Sequence, residues 1–172
     1  MSAVELPPLV DPEVFAGLLA DHGRAEQSLR AATAAVRDHC RWHIAPVVAQ
    51  TENVACDGGR VLALPTLRLV SVQSVTVDGE QITGYRADPA GLLVRESGWP
   101  EGTVTVEFTH GYDDAPAVAA LICEQAARAV TSPLGGVHEK MGPYEYFPAP
   151  GASSLGPEQH EVLNRYYLPS AA

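Results

Sequence analysis

The sequence predicts an α+β fold: a small helical bundle, a central antiparallel strand meander, and a C-terminal arm ending in a short helix. Three observations predict it. Apolar residues before residue 46 recur at steps of three and four, which is typical of helices. Residues from about 54 to 110 are rich in Val, Thr and turn residues and alternate in polarity. After His110 the helical spacing returns.

The N-terminal part predicts two helices. Asp11 can cap the first, Pro12 suits its first turn, and Glu13 complements the helix dipole, so we expect a helix over 11–22. The second is expected over 25–44. Its apolar positions follow the helical period, and Pro46 ends it. These positions are Leu29, Ala32, Val36, Cys40 and His43.

The segment of about 54–110 is predicted as an insert of four or five short strands. Asp78-Gly79 is a strong signal for a two-residue hairpin. A change in the parity of the valines at Gln73-Ser74 indicates a β-bulge. Near the end of the insert, Val104, Val106 and Phe108 alternate with polar residues, which predicts a strand with one buried face.

The C-terminal part predicts a helix over 115–131 and a second short helix that begins at Pro157. The stretch between them is rich in Pro, Gly and aromatic residues, which is typical of a loop. We therefore expect a core over 1–135 and a C-terminal arm with a short helix over 136–172.

The stretch FTHGYDDAP contains a histidine, a tyrosine and two aspartates, which are residue types common in active sites. Its position favours a structural joint between a strand and a helix. Gly111 permits a sharp turn, and aspartates before a helix accept hydrogen bonds from free backbone N–H groups. No partner base is recognisable from spacing, so we predict no catalytic residue. The joint comprises His110, Gly111, Asp113, Asp114 and Pro116.

The pair His39 and His43 has the spacing of a zinc-binding helix, but the glutamate of HExxH is missing and further ligands are not evident. We therefore predict no metal and no cofactor. Neither a phosphate-binding glycine loop nor a GxSxG elbow is present. The prediction is that the protein is not an enzyme. A small metal-dependent enzyme built on these histidines and the joint remains an alternative.

The formal net charge is −10, from 11 basic and 21 acidic residues. Such a surface repels the phosphate backbone of nucleic acid, so we expect no specific DNA binding. The sequence shows neither an apolar run long enough to cross a bilayer nor a signal peptide, which predicts no membrane association and a cytoplasmic site of synthesis. Three widely spaced cysteines predict reduced, mostly buried thiols.

Aromatic residues near the C-terminus form a candidate interface, because Tyr and Phe are favoured where proteins meet. An alternative is that these pieces fold back on their own domain. The residues are Tyr144, Tyr146, Phe147, Tyr166 and Tyr167.

The order of motifs along nearly the whole chain resembles that of a known family. The motifs are the capped helix from Asp11, VRDHCRWHIAP (36–46), LPTLRLVSVQSVTVDG (64–79), GLLVRESGWPEGTVTVEFTHGY (91–112), GPYEYF (142–147) and VLNRYYLP (162–169). The sequence is thereby similar to the head-to-tail connector, or adaptor, proteins of long-tailed double-stranded DNA phages.

The resemblance implies a structural protein of the virion neck at the capsid vertex, assembled in the host cytoplasm. Its members form an oligomeric ring, usually a dodecamer in the virion, which binds the portal protein on one side and a head-closure or stopper protein on the other. Double-stranded DNA passes through the channel of the ring without specific binding. A tail-terminator or stopper ring is the alternative within virion structure.

Overall fold

The computed structural model describes residues 6–17, 22–131, 139–141, 144–146 and 155–169. The chain divides into two compact units. The helical unit comprises Pro7–Cys40 and Ala115–Arg165, and the strand unit comprises Arg41–Asp114 with the described residues after Arg165. The α+β class predicted from the sequence is confirmed, with antiparallel sheets and several helices. No helix among the described residues is both long and apolar enough to cross a membrane.

The described residues of the helical unit form four α-helices and one hairpin. The bounds are α1 Pro12–Ala16, α2 His22–Cys40, α3 Pro116–Thr131, β8 Glu139–Met141, β9 Tyr144–Tyr146 and α4 Pro157–Leu163, which a short 3₁₀ helix, Asn164–Tyr166, follows. Helix α2 packs against α1, α3 and α4. The hairpin strands β8 and β9 pair with each other.

The start of α1 is the one the sequence predicts. The Asp11 carboxylate accepts hydrogen bonds from the backbone N–H groups of Glu13 and Val14, at 2.9 and 3.5 Å. The helix ends at Ala16 with Gly17 as its C-cap, earlier than the predicted residue 22, and residues 18–21 lie outside the described part of the chain.

The predicted end of the second helix at residue 44 is wrong. Helix α2 stops at Cys40 because Arg41 takes a left-handed backbone conformation, with φ of 67°. The residues after Arg41 leave the helical path, and Trp42, His43 and Ile44 are buried in the strand unit instead. The apolar spacing continues to His43 in the sequence, so it predicted one helical turn more than the structure has.

Helix α4 begins at Pro157 with Gly156 as its N-cap, as the sequence predicts. The side-chain oxygen of Gln159 accepts a hydrogen bond from the Gly156 N–H at 2.8 Å and another from Gln125 on α3 at 2.5 Å. Leu163 is fully buried. These contacts hold the terminal helix in the helical unit. The predicted boundary at residue 135 stays a prediction, because residues 132–138 are outside the described part.

The described residues of the strand unit form seven strands: β1 Val48–Asp57, β2 Val61–Ala63, β3 Leu69–Val77, β4 Glu80–Gln81, β5 Arg86–Ala87, β6 Leu92–Val94 and β7 Glu101–His110. They pair into two antiparallel sheets. The four-stranded sheet has the order β1-β7-β3-β4, and the three-stranded sheet has the order β2-β6-β5.

The strands are more numerous than the four or five predicted, and most neighbours in the sheets are not consecutive along the chain. The last strand of the unit, β7, lies between β1 and β3 and pairs with both. Its alternating Val104, Val106 and Phe108 are all fully buried, so one face of this strand lies against the core. The antiparallel prediction is correct, and the simple meander order is replaced by long-range pairing.

The core of the strand unit lies between the two sheets' inner faces and the loop that carries Trp99. Phe108, Leu93 and Val75 are at most 1% exposed. Each such side chain contributes about 1.5–3 kcal/mol when fully buried. The remaining buried members are Leu62, Leu64, Leu69, Trp99, Val104 and Val106.

Two turn features predicted from the sequence are confirmed. Asp78 and Gly79 both have positive φ, 50° and 85°, and join β3 to β4 in register Val77↔Glu80. The register of β3 against β7 shifts between Val72 and Ser74, which is the predicted bulge.

Candidate functional site

The most polar buried region of the strand unit lies where β7 ends. Here two chain segments meet, residues 42–46 and residues 108–112. The Tyr112 N–H donates to the Ile44 carbonyl at 2.9 Å, and the Gly111 N–H donates to the Arg68 carbonyl at 2.8 Å. Ile44 takes a φ of 70°, which is unusual for a β-branched residue and marks a strained backbone fixed by its surroundings.

Two buried imidazoles form the centre of this region. The rings of His43 and His110 lie 4.3 Å apart in an edge-on arrangement and are 4% and 1% exposed. Phe108 packs on His110 with ring centres 4.6 Å apart. Trp42 packs on both histidines, at 5.6 and 6.3 Å. We call these four residues the histidine cluster.

The hydrogen bonds assign the protons of the two rings. His43 Nε2 lies 2.8 Å from the Pro46 carbonyl, which can only accept, so this nitrogen carries a proton. His110 Nε2 lies 2.9 Å from Gln50 Oε1. The amide nitrogen of Gln50 donates to Glu52 at 2.9 Å, which fixes its oxygen toward His110. His110 therefore also carries its proton on Nε2.

The environment of His110 favours its neutral form. Burial, together with the smaller effect of the neighbouring His43, lowers the pKa of this histidine to about 4. Its Nδ1 atom is buried and has no hydrogen-bond partner among the described residues. A proton on that atom would introduce a buried charge with no acceptor beside it.

Gly111 is the residue that lets the two segments approach. Its φ is 116°, and a Cβ atom there would lie 2.7 Å from both His43 Nε2 and the Pro46 carbonyl oxygen. Any side chain would therefore displace the hydrogen bond of His43 as well as strain the backbone. The sequence prediction that Gly111 permits a sharp turn identified the right residue but missed this close contact.

The C-terminal residues reach the same region. Trp42 donates from its indole nitrogen to the Tyr166 carbonyl at 2.7 Å. The rings of Tyr112 and Tyr166 lie 5.6 Å apart. Tyr166 is thus half-buried by its own chain, whereas Tyr167 is 41% exposed.

The strand unit also contains a groove of about 550 Å³, which none of the four residues of the histidine cluster lines. One wall is β1 at residues 52–55. The other is the chain from Ala63 to Leu67, together with Ala90 and Leu92. Arg41, Leu168 and Pro169 complete the lining. Nothing in the sequence pointed to this groove, because one wall belongs to the four-stranded sheet and the other to the three-stranded sheet and the loops beside it.

The sequence-predicted site residues are dispersed. Tyr144 and Tyr146 lie in β9, and Phe147 is outside the described residues. His110 and Gly111 belong to the buried region described above, Asp113 and Asp114 are exposed, and Pro116 is the first residue of α3. The interface role of the tyrosines and the capping role of the aspartates stay predictions.

The two histidines of the metal alternative do not share a helix. Because α2 ends at Cys40, His39 belongs to the helical unit, where its ring lies 4.8 Å from that of His160, and His43 belongs to the strand unit. The zinc-like spacing is therefore lost in the fold. Among the residues that the structure describes, no group of three or more potential metal ligands occurs.

The pairing of His43 with His110 was missed from the sequence. A long-range strand register, Val48↔His110, brings them together. A signal was available in the glycine that follows His110, since a glycine directly after a strand often allows another segment to approach closely.

Comparisons with known proteins give similarity at the level of fold. No protein-family model matches the sequence, and no curated protein matches it. A chain from the virion of a native gene transfer agent particle is similar with a TM-score of 0.64 and 16% identity, over 99% of this chain and 96% of that one.

Two further solved structures are similar to the same degree. A chain from the neck of an empty gene transfer agent particle, computed with C6 symmetry, has a TM-score of 0.63 and 15% identity, over 100% of this chain and 95% of that one. A chain from the neck of the native particle, computed with C12 symmetry, has a TM-score of 0.60 and 15% identity, over 93% and 89%. The shared feature is the fold, across nearly the whole of each chain.

Proposed function

We propose that this protein is a structural component of the neck of a phage-like virion, where it forms an adaptor ring between the portal and a head-closure or stopper protein. The observation that carries the proposal is the likeness of fold to neck chains over almost the full length of both partners. A match of this extent includes both units, so it does not rest on one common motif.

The symmetry of the similar particles supports an oligomeric ring. Their necks were computed with C6 and C12 symmetry. A closed ring is built from heterologous contacts, in which one surface of a subunit meets a different surface of the next. We infer a dodecamer for this protein in the virion.

The charge of the chain suits a channel through which DNA moves. A net charge of −10 repeated around a ring gives a negative potential that opposes tight contact with phosphates. DNA would then pass without being held. The proposed role is structural, with the histidine cluster as a packing centre that fixes the strand unit.

Reconstitution of the neck tests the proposal. The purified protein would be mixed with the portal of the same particle and the product imaged by electron cryomicroscopy. We expect a ring directly under the portal. A ring that appears only at the tail side of the neck would assign the protein to the stopper or tail-terminator class instead, and failure of the portal to recruit it would refute the adaptor role.

The variants for this test should leave the fold intact. Deletion of the whole C-terminal arm would also remove Leu163 and Tyr166, which are packed within their own units. Substitution of Tyr144 and Tyr146 by alanine is sharper. We expect the double variant to lose recruitment while its urea unfolding stays within about 0.5 kcal/mol of the parent.

A further inference from the structure

Strands β2 and β6 of the three-stranded sheet are apolar on both faces. Leu62 and Leu93 point into the core and are 2% and 0% exposed. On the opposite face Val61 pairs with Val94 and Ala63 pairs with Leu92, so these four residues share one side. We call them the outer face. Val61 is 51% exposed and Leu92 is 39% exposed.

Apolar residues on both sides are typical of strands that are covered on both sides. A sheet with one wet face alternates apolar and polar residues instead. The strand sequences VLA and LLV show no such alternation. The composition of the outer face therefore indicates a contact surface.

The outer face continues into the groove. Ala63 and Leu92 belong to both, and the far wall of the groove is β1. Strand β1 is the edge of its sheet, with β7 as its only strand neighbour among the described strands. An edge strand beside an apolar groove is a typical acceptor for a further strand.

The β8–β9 hairpin of the chain is a segment that could add strands to such an edge. Strands β8 and β9 have three residues each and pair only with each other among the described strands. A hairpin of this size is at best marginally stable in water without a surface to pack on. Its sequence carries two tyrosines, Tyr144 and Tyr146, which are suited to an apolar contact.

The charges of the two surfaces are complementary. Arg86 lies opposite Val94, beside the outer face, and the groove is lined by one basic residue, Arg41, and one acidic residue, Glu52. The hairpin strands contain Glu139 and Glu145 against one lysine. In a chain with 21 acidic and 11 basic residues, an arginine-flanked apolar face favours an acidic partner.

We propose that the outer face and the adjoining groove bind the β8–β9 hairpin of a second copy of this chain. The proposal rests on the ring proposed above, and it identifies one of the two different surfaces that a heterologous contact needs. Each copy then donates its hairpin to one neighbour and receives a hairpin from the other.

Photocross-linking tests the contact directly. A benzoylphenylalanine placed at position 146 of the full-length chain would be activated in a mixture of light and heavy isotope-labelled protein, at high concentration and in reconstituted necks. Arg60, Arg68, Arg86 and Arg95 are sites of tryptic cleavage, so the outer face is released as peptides 61–68 and 87–95. We expect light–heavy cross-links to these two peptides.

Matched substitutions test the energetics. Val61→Glu places a charge on the outer face, and Val70→Glu is its control, because Val70 lies in the same unit and is 55% exposed. We expect the cross-link yield to fall about tenfold for Val61→Glu and to stay unchanged for Val70→Glu. If Val61→Glu fails to fold by tryptophan fluorescence, Leu92→Gln replaces it.

The outcomes separate this inference from the proposed function. Cross-links that join only light to light and heavy to heavy chains would overturn it. So would cross-links that fall outside these two peptides and outside tryptic peptide 42–60, which carries the β1 wall of the groove. If rings still form on the portal in that case, the adaptor role stands and only the acceptor surface is wrong. If copies never associate and the portal recruits none, both fail.

Discussion

Acidification should weaken the strand unit through one residue, His110. The ring is 1% exposed, its Nδ1 has no hydrogen-bond partner among the described residues, and burial lowers its pKa to about 4. Above pH 6.5 the residue is neutral in both the folded and the unfolded chain, and the full stability is present. Between about 6.5 and 4 only the unfolded chain binds the proton, so the free energy of unfolding falls as the pH falls.

The size of the loss follows from the difference in pKa between the two states. The ordinary value is 6.5 and the folded value is about 4, and each unit is worth about 1.36 kcal/mol. The expected loss is on the order of 3 kcal/mol, complete below about pH 4. That is a large part of the 5–15 kcal/mol that stabilises a typical domain.

The tryptophans make this loss measurable in one unit. Both tryptophans of the chain, Trp42 and Trp99, belong to the strand unit. Urea unfolding followed by their fluorescence, at a series of pH values from 7 to 4, therefore reports that unit. Carboxylates also titrate in this range, so the informative quantity is the difference in pH dependence between the parent and His110→Gln.

We expect His110→Gln to lose about 3 kcal/mol less than the parent between pH 7 and pH 4. His160→Gln is the control, because His160 lies in the helical unit and should leave the tryptophan-reported pH dependence unaltered. Identical pH dependence of His110→Gln and the parent would refute the assignment of His110 as a buried neutral residue.

Other substitutions test the packing around the joint and the terminal helix. Gly111→Ala should destabilise the strand unit by about 3 kcal/mol or more in urea, whereas Gly79→Ala, also at positive φ but with open space around it, should cost only about 1 kcal/mol. Equal losses would show that the contact with His43 is unimportant. Leu93→Ala should cost about 2–5 kcal/mol in the same fluorescence assay, and a loss below 1 kcal/mol would contradict its place in the core. Gln159→Leu leaves two donors of the helical unit unpaired and should speed amide hydrogen exchange in α4 about tenfold, while exposed Glu158→Gln should not.

Local signals predicted much of the fold. The cap at Asp11, the hairpin at Asp78-Gly79, the bulge near Gln73 and the helix start at Pro157 are each determined by a few adjacent residues. Such features can be predicted because their chemistry is contained within one turn.

Those local signals could not predict which distant strands pair with each other. That β7 would lie between β1 and β3 depends on which strand edges hydrogen-bond to each other, and alternation within one strand does not identify its neighbours. The end of α2 was misplaced because Trp42 and His43 continue the helical period while their side chains pack with Tyr112 and His110. The structural role of the joint stays a prediction, and the histidine cluster and the groove could not be predicted without the pairing and packing of the strands.

The strands β1 to β7 form a segment that is inserted between α2 and α3. The hydrogen bond from the Tyr112 N–H to the Ile44 carbonyl joins the beginning and the end of this segment. A module whose ends touch can be gained, lost or exchanged during evolution with little disturbance to the helices on either side. During synthesis, α3 leaves the ribosome only after the whole insert, so α2 must wait for its main packing partner while the sheets are already able to form. The insert is therefore expected to fold before α2 and α3 pack against each other.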